Sequence, residues 1–357
     1  MKKLFKFIIL IAIVLTIYYV PKYLKNSKIT KLLTDNYEPK YLINNLYKSE
    51  EINYRLLNDD EKKLYDIVIT NISNFEPSFK IDLSNYQNEF SYDDIISKYI
   101  NLVLNDHPEL IQFGSAEFIR NSNNDIDITI KYVMDKNAYD SNIIFIKEQI
   151  DNVKDNTNNL STYEKIKYVY EYLGNKNRYG DPKDLMAQSA FSAFNDSLST
   201  VCAGYARASQ ILFNNIGIDS LLISGYLKSS LFFGDRHAWN VVKIDNKYYN
   251  YDVTQSSISK KDISYIGLLP TNKSQFKPNY KNSYPYIYST KYDYYKMNNL
   301  VYKYNKNNIK DMVLNSNKKL IEIKISNFNI MYLNEIAKEF PNYNIYSVDN
   351  ILFIEKN

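Results

Sequence analysis

A single cysteine, Cys202, and two histidines, His107 and His237, limit the side-chain chemistry open to this chain. Cys202 lies in Ser197–Ile218, which carries Val-Cys-Ala-Gly-Tyr-Ala-Arg. Ser199 and Thr200 are good N-cap residues, so a helix is expected to begin beside them. Cys202 then falls in the first turn, where unpaired backbone N–H groups and the helix dipole favour negative charge. A thiol there ionises more readily and becomes a better nucleophile. Such a nucleophile needs a base. His237 stands in Asp-Arg-His-Ala-Trp-Asn-Val-Val-Lys-Ile, followed by Asp-Asn-Lys-Tyr-Tyr-Asn-Tyr-Asp-Val-Thr. The two runs read as a β-hairpin turning at Asp245-Asn246. In that register Ile244 faces Lys247, and His237 and Trp239 share one face of their strand. Asp252 then sits diagonally across from His237, within hydrogen-bond reach. A slip of one residue would move it to the other face.

Three motifs now stand in order: Cys202 with Gly204-Tyr205-Ala206, His237-Ala238-Trp239-Asn240, and Asp252-Val253-Thr254. Together, over about residues 160–270, the chain resembles the transglutaminase-like superfamily of papain-fold thiol enzymes, in its bacterial membrane-anchored or surface branch. Three motifs in the right order are specific where one alone is weak. Ser199 and Thr200 replace a glycine often found shortly before the cysteine, and Gln255 stands where an aromatic or acidic residue often follows the aspartate motif. The resemblance implies an α+β fold, with a central cysteine-bearing helix against an antiparallel sheet.

The implied chemistry is a Cys202, His237, Asp252 triad. His237 accepts the thiol proton, and Asp252 holds the imidazole in its working tautomer. The thiolate attacks a carboxamide or peptide carbonyl to form a thioester, which an amine or water resolves. The Cys202 N–H donates to the oxyanion, and Gln188 and Tyr179 are candidates for a second donor. Trp239 and Tyr205 are cleft-wall candidates, with packing the commoner use of such rings. An isolated cysteine is more often a small buried hydrophobe; the ordered His and Asp motifs reverse that weighting. The alternative is a non-catalytic surface module that uses the fold for binding or scaffolding, against which the complete triad argues.

The helix before the nucleophile opens with the capping-box signature Ser161-Thr162-Tyr163-Glu164 and continues through Ile166, Val169, Tyr170 and Leu173. A strand is expected at Leu221 to Leu227, and the loop after it borders the cleft. Residues 30–155 read as a separate N-terminal α/β domain. Leu64, Ile67, Val68 and Ile72 make one helical stripe there. A second helix opens at Ser91, carries Ile95, Tyr99, Ile100 and Val103, and ends near His107-Pro108. Ile126, Ile128, Ile130, Tyr132 and Met134 alternate as a strand, and Ile143, Ile146, Ile150 and Val153 return to helical spacing. His107 reads as a structural histidine. Residues 271–305 read as a linker or wrapped extension. Residues 306–357 form a small α/β appendage, with strands at Lys319–Ile325, Asn344–Val348 and Ile351–Ile354 and a helix around Met331–Phe340.

Residues 1–28 place Lys2, Lys3 and Lys6 before the apolar run Phe7–Val20. With no small residues at a cleavage site, this reads as an uncleaved signal anchor, leaving the rest of the chain outside the cell membrane; if cleaved, the protein is secreted. The expected substrates are surface polypeptides or peptidoglycan peptides. The net charge of +4 is scattered over lysines with no basic stripe, which argues against a nucleic-acid partner. One cysteine excludes an intrachain disulfide, and the Cys and His complement cannot supply a typical zinc site. No phosphate-binding loop, dinucleotide fingerprint or EF-hand loop is present. No cofactor or metal is expected. Although animal members of the superfamily use calcium, no acidic loop here demands it.

Overall fold

In the computed structural model, residue 32 and residues 37–83, 92–121, 125–228, 233–259, 261–271, 275–280 and 284–357 are described. The expected anchor at 1–28 and the helix opening at Ser91 lie outside them. Among the described residues, no helix is long and apolar enough to cross a membrane.

The N-terminal elements follow the apolar spacing. Helix α1 (Ile52–Leu56) leads into α2 (Asp59–Ser73), whose start is tied by a reciprocal bond pair between Asn58 and Glu61. Then come β1 (Ser78–Asp82), α3 (Tyr92–Asp106), β2 (Phe113–Arg120) and β3 (Asp125–Tyr132), forming an antiparallel sheet in the order β1-β3-β2. Ile126, Ile128 and Ile130 point to one buried side and share a core with Leu64, Val68, Ile72 and Val103. Met134 falls beyond the strand end.

Helix α4 (Lys136–Thr157) packs elsewhere. Its Ile146, Ile150 and Val153 join a larger core with Ile166, Val169 and Leu173 of α5 (Thr162–Lys176), and with α6 (Ala190–Phe194) and α7 (Cys202–Asn215). Leu46 and Tyr47 enter this core from the N-terminal side, and Leu320 and Phe353 from the C-terminal side. The flanking segments therefore contribute directly to the packing that holds the cysteine-bearing helix.

The sheet beside α7 is built from β4 (Ser220–Lys228), β5 (Phe233–Ile244), β6 (Lys247–Tyr251) and β7 (Phe276–Pro278), in the antiparallel order β6-β5-β4-β7. Asp245 and Asn246 have φ of 50° and 58°, the left-handed pair that a tight two-residue hairpin requires. Ile244 pairs with Lys247 and Asn240 with Tyr251, the register expected from the sequence. α7 packs on this sheet through Ala206, Leu222 and Ala238, and Asn240 Nδ2 donates to Ala206 O at 3.0 Å. Trp239, Val241, Leu221 and Phe276 form a separate core. The 271–305 stretch thus does more than link: it supplies β7 to the sheet edge.

The C-terminal part adds α8 (Tyr294–Met297), β8 (Val301–Tyr302), α9 (Lys306–Asn315), β9 (Leu320–Ile325), α10 (Met331–Glu339), β10 (Asn344–Val348) and β11 (Ile351–Glu355). Its sheet runs β10-β11-β9-β8, with β8 parallel to β9. The whole is an α+β protein.

Candidate active site

The cysteine-bearing helix begins at Cys202 itself. Val201 is its N-cap and makes no side-chain cap bond, so neither Ser199 nor Thr200 caps it as expected. The reason is that Thr200 is turned inward: its hydroxyl accepts from Ser192 Oγ at 2.7 Å and reaches Ala187 O at 3.3 Å. The first-turn N–H groups of α7 are thus left without a side-chain cap beside the thiol. The segment around the 3-10 turn Met186–Gln188 can press on α7 only because residue 204 is glycine. A Cβ there would stand 2.6 Å from Ala187 O and 2.9 Å from Ser189 O.

The imidazole of His237 and the Ala238 N–H both act on the Cys202 thiol, and Cys202 and His237 line one cleft. On its other side, His237 Nε2 lies 2.8 Å from Asp252 Oδ2, with both residues buried. That leaves Nδ1 as the nitrogen facing sulfur. Burial pushes the thiol pKa up, but the His237 bond and charge and the Ala238 N–H outweigh it, and the net shift is downward. Burial alone would lower the imidazole. Asp252 first, and then Cys202, reverse this and raise it to about 10. Both shifts favour a thiolate–imidazolium pair.

Asp252 is held from several directions. Its backbone N–H donates to Gly267 O at 2.9 Å, and Oδ1 accepts from Thr254 N at 3.2 Å. A Cβ on residue 267 would fall 1.9 Å from the Asp252 carbonyl oxygen, so only glycine permits this approach. Gln255 Nε2 donates to Oδ2 at 2.7 Å. Gln255 is a residue whose part in the site the motifs did not reveal; its only signal was its place three positions after the aspartate.

The other candidates divide. Tyr179 is brought to the nucleophile by a parallel bridge to Thr200, where Gly180 N donates to Thr200 O at 2.9 Å. It lines the same cleft as Cys202, and burial followed by the Cys202 charge drives its pKa up. Gln188 lines the same cleft, but its amide donates to Pro182 O at 3.0 Å and braces that lip. Trp239 and Tyr205 are not cleft walls. Both are 1 % exposed. The Trp239 N–H is tied to Asn250 at 3.2 Å while its ring stacks under His237, and the Tyr205 hydroxyl is tied to Asn177 O at 3.0 Å. Burying such large rings requires a partner for each polar tip, and these bonds turn both residues into the site's support.

Cys202 and His237 open into a cleft of about 1250 Å³. Tyr179, Pro182 and Gln188 form one lip. The opposite wall comes from Ile95, Lys98 and Tyr99 on α3, a contribution no motif indicated. His107 stands apart, fully buried, with Nδ1 2.9 Å from Glu109 Oε1. Among the described residues, no group of three or more His, Cys, Asp or Glu side chains is placed to hold a metal ion.

A helix that starts at a cysteine, packed on an antiparallel sheet that supplies histidine and aspartate, defines a papain-like core. Residues 149–253 match the model of the transglutaminase-like superfamily, so the chain carries a transglutaminase-like domain. No curated protein matches the chain. Among solved structures, it is similar to a candidate cysteine protease from Cytophaga hutchinsonii, at 13% identity over 43% of this chain and 64% of that one, with a TM-score of 0.26. It is also similar to a transglutaminase, at 15% identity over 60% and 56%, with a TM-score of 0.29. A third is the periplasmic domain of TgpA from Pseudomonas aeruginosa, at 14% identity over 36% and 53%, with a TM-score of 0.25. The chain thus spans between about half and two thirds of the length of these proteins.

Proposed function

We propose that this protein is a cysteine acyltransferase or peptidase that works through a thioester on Cys202. The observation that carries the reading is the placement of Cys202 and His237 in one cleft, with 2.8 Å between His237 Nε2 and the buried Asp252 Oδ2. The Cys202 sulfur attacks the carbonyl carbon of a carboxamide or peptide bond. The carbonyl oxygen takes up negative charge near the Cys202 N–H, with the Tyr179 hydroxyl of the same cleft as the second donor. The imidazolium of His237 gives its proton to the leaving nitrogen as the tetrahedral intermediate collapses to a thioester, releasing ammonia or an amine. Neutral His237 then takes a proton from the incoming amine or water, which attacks the thioester and frees the sulfur. Asp252 keeps Nδ1 aimed at the reacting atoms.

The lysine-flanked apolar run at Phe7–Val20 supports an extracytoplasmic enzyme held at the cell membrane. Its substrates are then surface polypeptides or cell-wall peptides. The test is incubation of the full chain and of Cys202→Ala with cell-surface extract, followed by mass spectrometry of the Cys202 peptide. The expected result is an acyl adduct on Cys202 in the wild type, and loss of transfer and hydrolysis in a folded Cys202→Ala protein. Full activity in that variant would exclude the reading.

A further inference from the structure

Of the 44 basic side chains only five are arginines, so lysine is this chain's ordinary way to place a positive charge. One of the five, Arg236, directly precedes His237 on β5, is exposed, and lines the same cleft as Cys202. Among the described residues no carboxylate pairs with it. A second arginine, Arg207, lies half-buried on α7. Its Nη1 donates to Gln188 O at 2.7 Å, and no carboxylate pairs with it either. The α3 wall differs. Lys98 and Glu61 neutralise each other there at 2.8 Å. The cleft therefore carries an exposed guanidinium at its nucleophile end, while the charges of Lys98 and Glu61 offset each other along α3.

A guanidinium is a planar fork that meets a carboxylate in two parallel hydrogen bonds, which a lysine ammonium does not reproduce. Resting on the acyl-transfer reading above, we propose that Arg236 is a specificity-determining residue that binds a carboxylate of the acyl donor. The preferred donors are peptides carrying a free carboxylate close to the reacting carboxamide or peptide carbonyl. The rest of such a peptide runs along α3, away from the positive end. The cleft exceeds the few hundred to about 1,000 Å³ typical of small-molecule pockets, which suits a peptide of several residues.

The experiment has two arms, each run on the wild type, Arg236→Gln and Arg236→Lys. In the first, Cys202 is alkylated by iodoacetate and by iodoacetamide, and the ratio of the two rates is read. Because His237 acts in every protein, a change in that ratio reports the charge at position 236. The ratio is expected to fall at least fivefold in Arg236→Gln and less in Arg236→Lys, on the order of the worth of one charge contact. In the second arm, acetyl-Gly-Gln-Gly is offered as the free acid and as the C-terminal amide, and products are followed by mass spectrometry. The wild type is expected to prefer the acid by roughly tenfold, and both variants to lose most of that preference. An unchanged alkylation ratio in Arg236→Gln, or equal use of acid and amide by the wild type, overturns the proposal. If neither peptide reacts, the acyl-transfer reading fails, and the alkylation ratio alone decides whether Arg236 forms an anion subsite.

Discussion

The side-chain amide of Gln255 donates to Asp252 Oδ2 across 2.7 Å, the same oxygen that faces His237 Nε2 at 2.8 Å. Two buried donors thus share one acceptor, and the carboxylate cannot rotate away from the histidine without breaking both bonds. Gln255→Leu is expected to lower kcat roughly tenfold by loosening this orientation, and Asp252→Asn roughly a thousandfold or more by favouring the wrong tautomer. Gln255→Glu sets a second carboxylate against Asp252 and should raise the pH at which the site ionises. A Gln255→Leu enzyme with an unaltered rate and pH profile would show that the bond serves packing alone.

Tyr179 offers a cleaner division between nucleophile and oxyanion. It lines the cleft with Cys202, whose charge acts on its hydroxyl. Tyr179→Phe is expected to cut acyl-transfer kcat by about a hundredfold, the worth of one oxyanion donor, while Cys202 still reacts with iodoacetamide. Equal losses in both reactions would assign Tyr179 to holding the thiol instead.

The pH profile follows from the two shifted groups. The thiol ionises below its ordinary range because of His237, and the imidazolium persists up to about 10 because of Asp252. Acyl transfer should therefore appear at a pH below the usual thiol range and decline as pH rises through about 10, where the proton for the leaving amine is lost. In His237→Ala, burial acts on the thiol with only the Ala238 N–H against it, and its ionisation should move up. Rates of iodoacetamide modification against pH read this directly; a profile indifferent to His237 would break the pairing.

His107 makes a prediction about stability rather than catalysis. Burial alone would lower its pKa; Glu109, Glu51 and Asp106 override it and raise the value to about 9. A group with a raised folded pKa stabilises fully below its unfolded pKa, near 6.5, and that contribution is lost as pH climbs through the folded value. Between pH 6 and 9.5 the wild type should lose on the order of 2 kcal/mol more than His107→Gln in denaturant unfolding. Parallel stability curves for the two proteins would mean that the imidazole is uncharged in the native state.

Much of the site was legible in residue order because it is built from local periodicity. Side chains alternate along a strand, so a two-residue turn at Asp245-Asn246 was enough to set His237 and Asp252 on one side of a hairpin. Ser199 and Thr200 pointed to a helix start beside Cys202, and α7 begins there although neither residue caps it. Where packing overrides propensity, the expectation failed. Thr200 is a good cap by type, yet its hydroxyl is drawn into the interior by Ser192 and Ala187.

What the sequence by itself determined, then, is the set of candidate side chains and the hairpin register that brings two of them together. Only the tertiary structure decided that Tyr179 rather than Gln188 stands at the sulfur, that Trp239 and Tyr205 lie beneath the site, and that α3 walls the cleft opposite. The physical reason is the range of the forces involved. Strand alternation and turn chemistry act between neighbours in the chain. Burial, and the need of every buried polar tip for a partner, are settled among residues that meet only once the chain is packed.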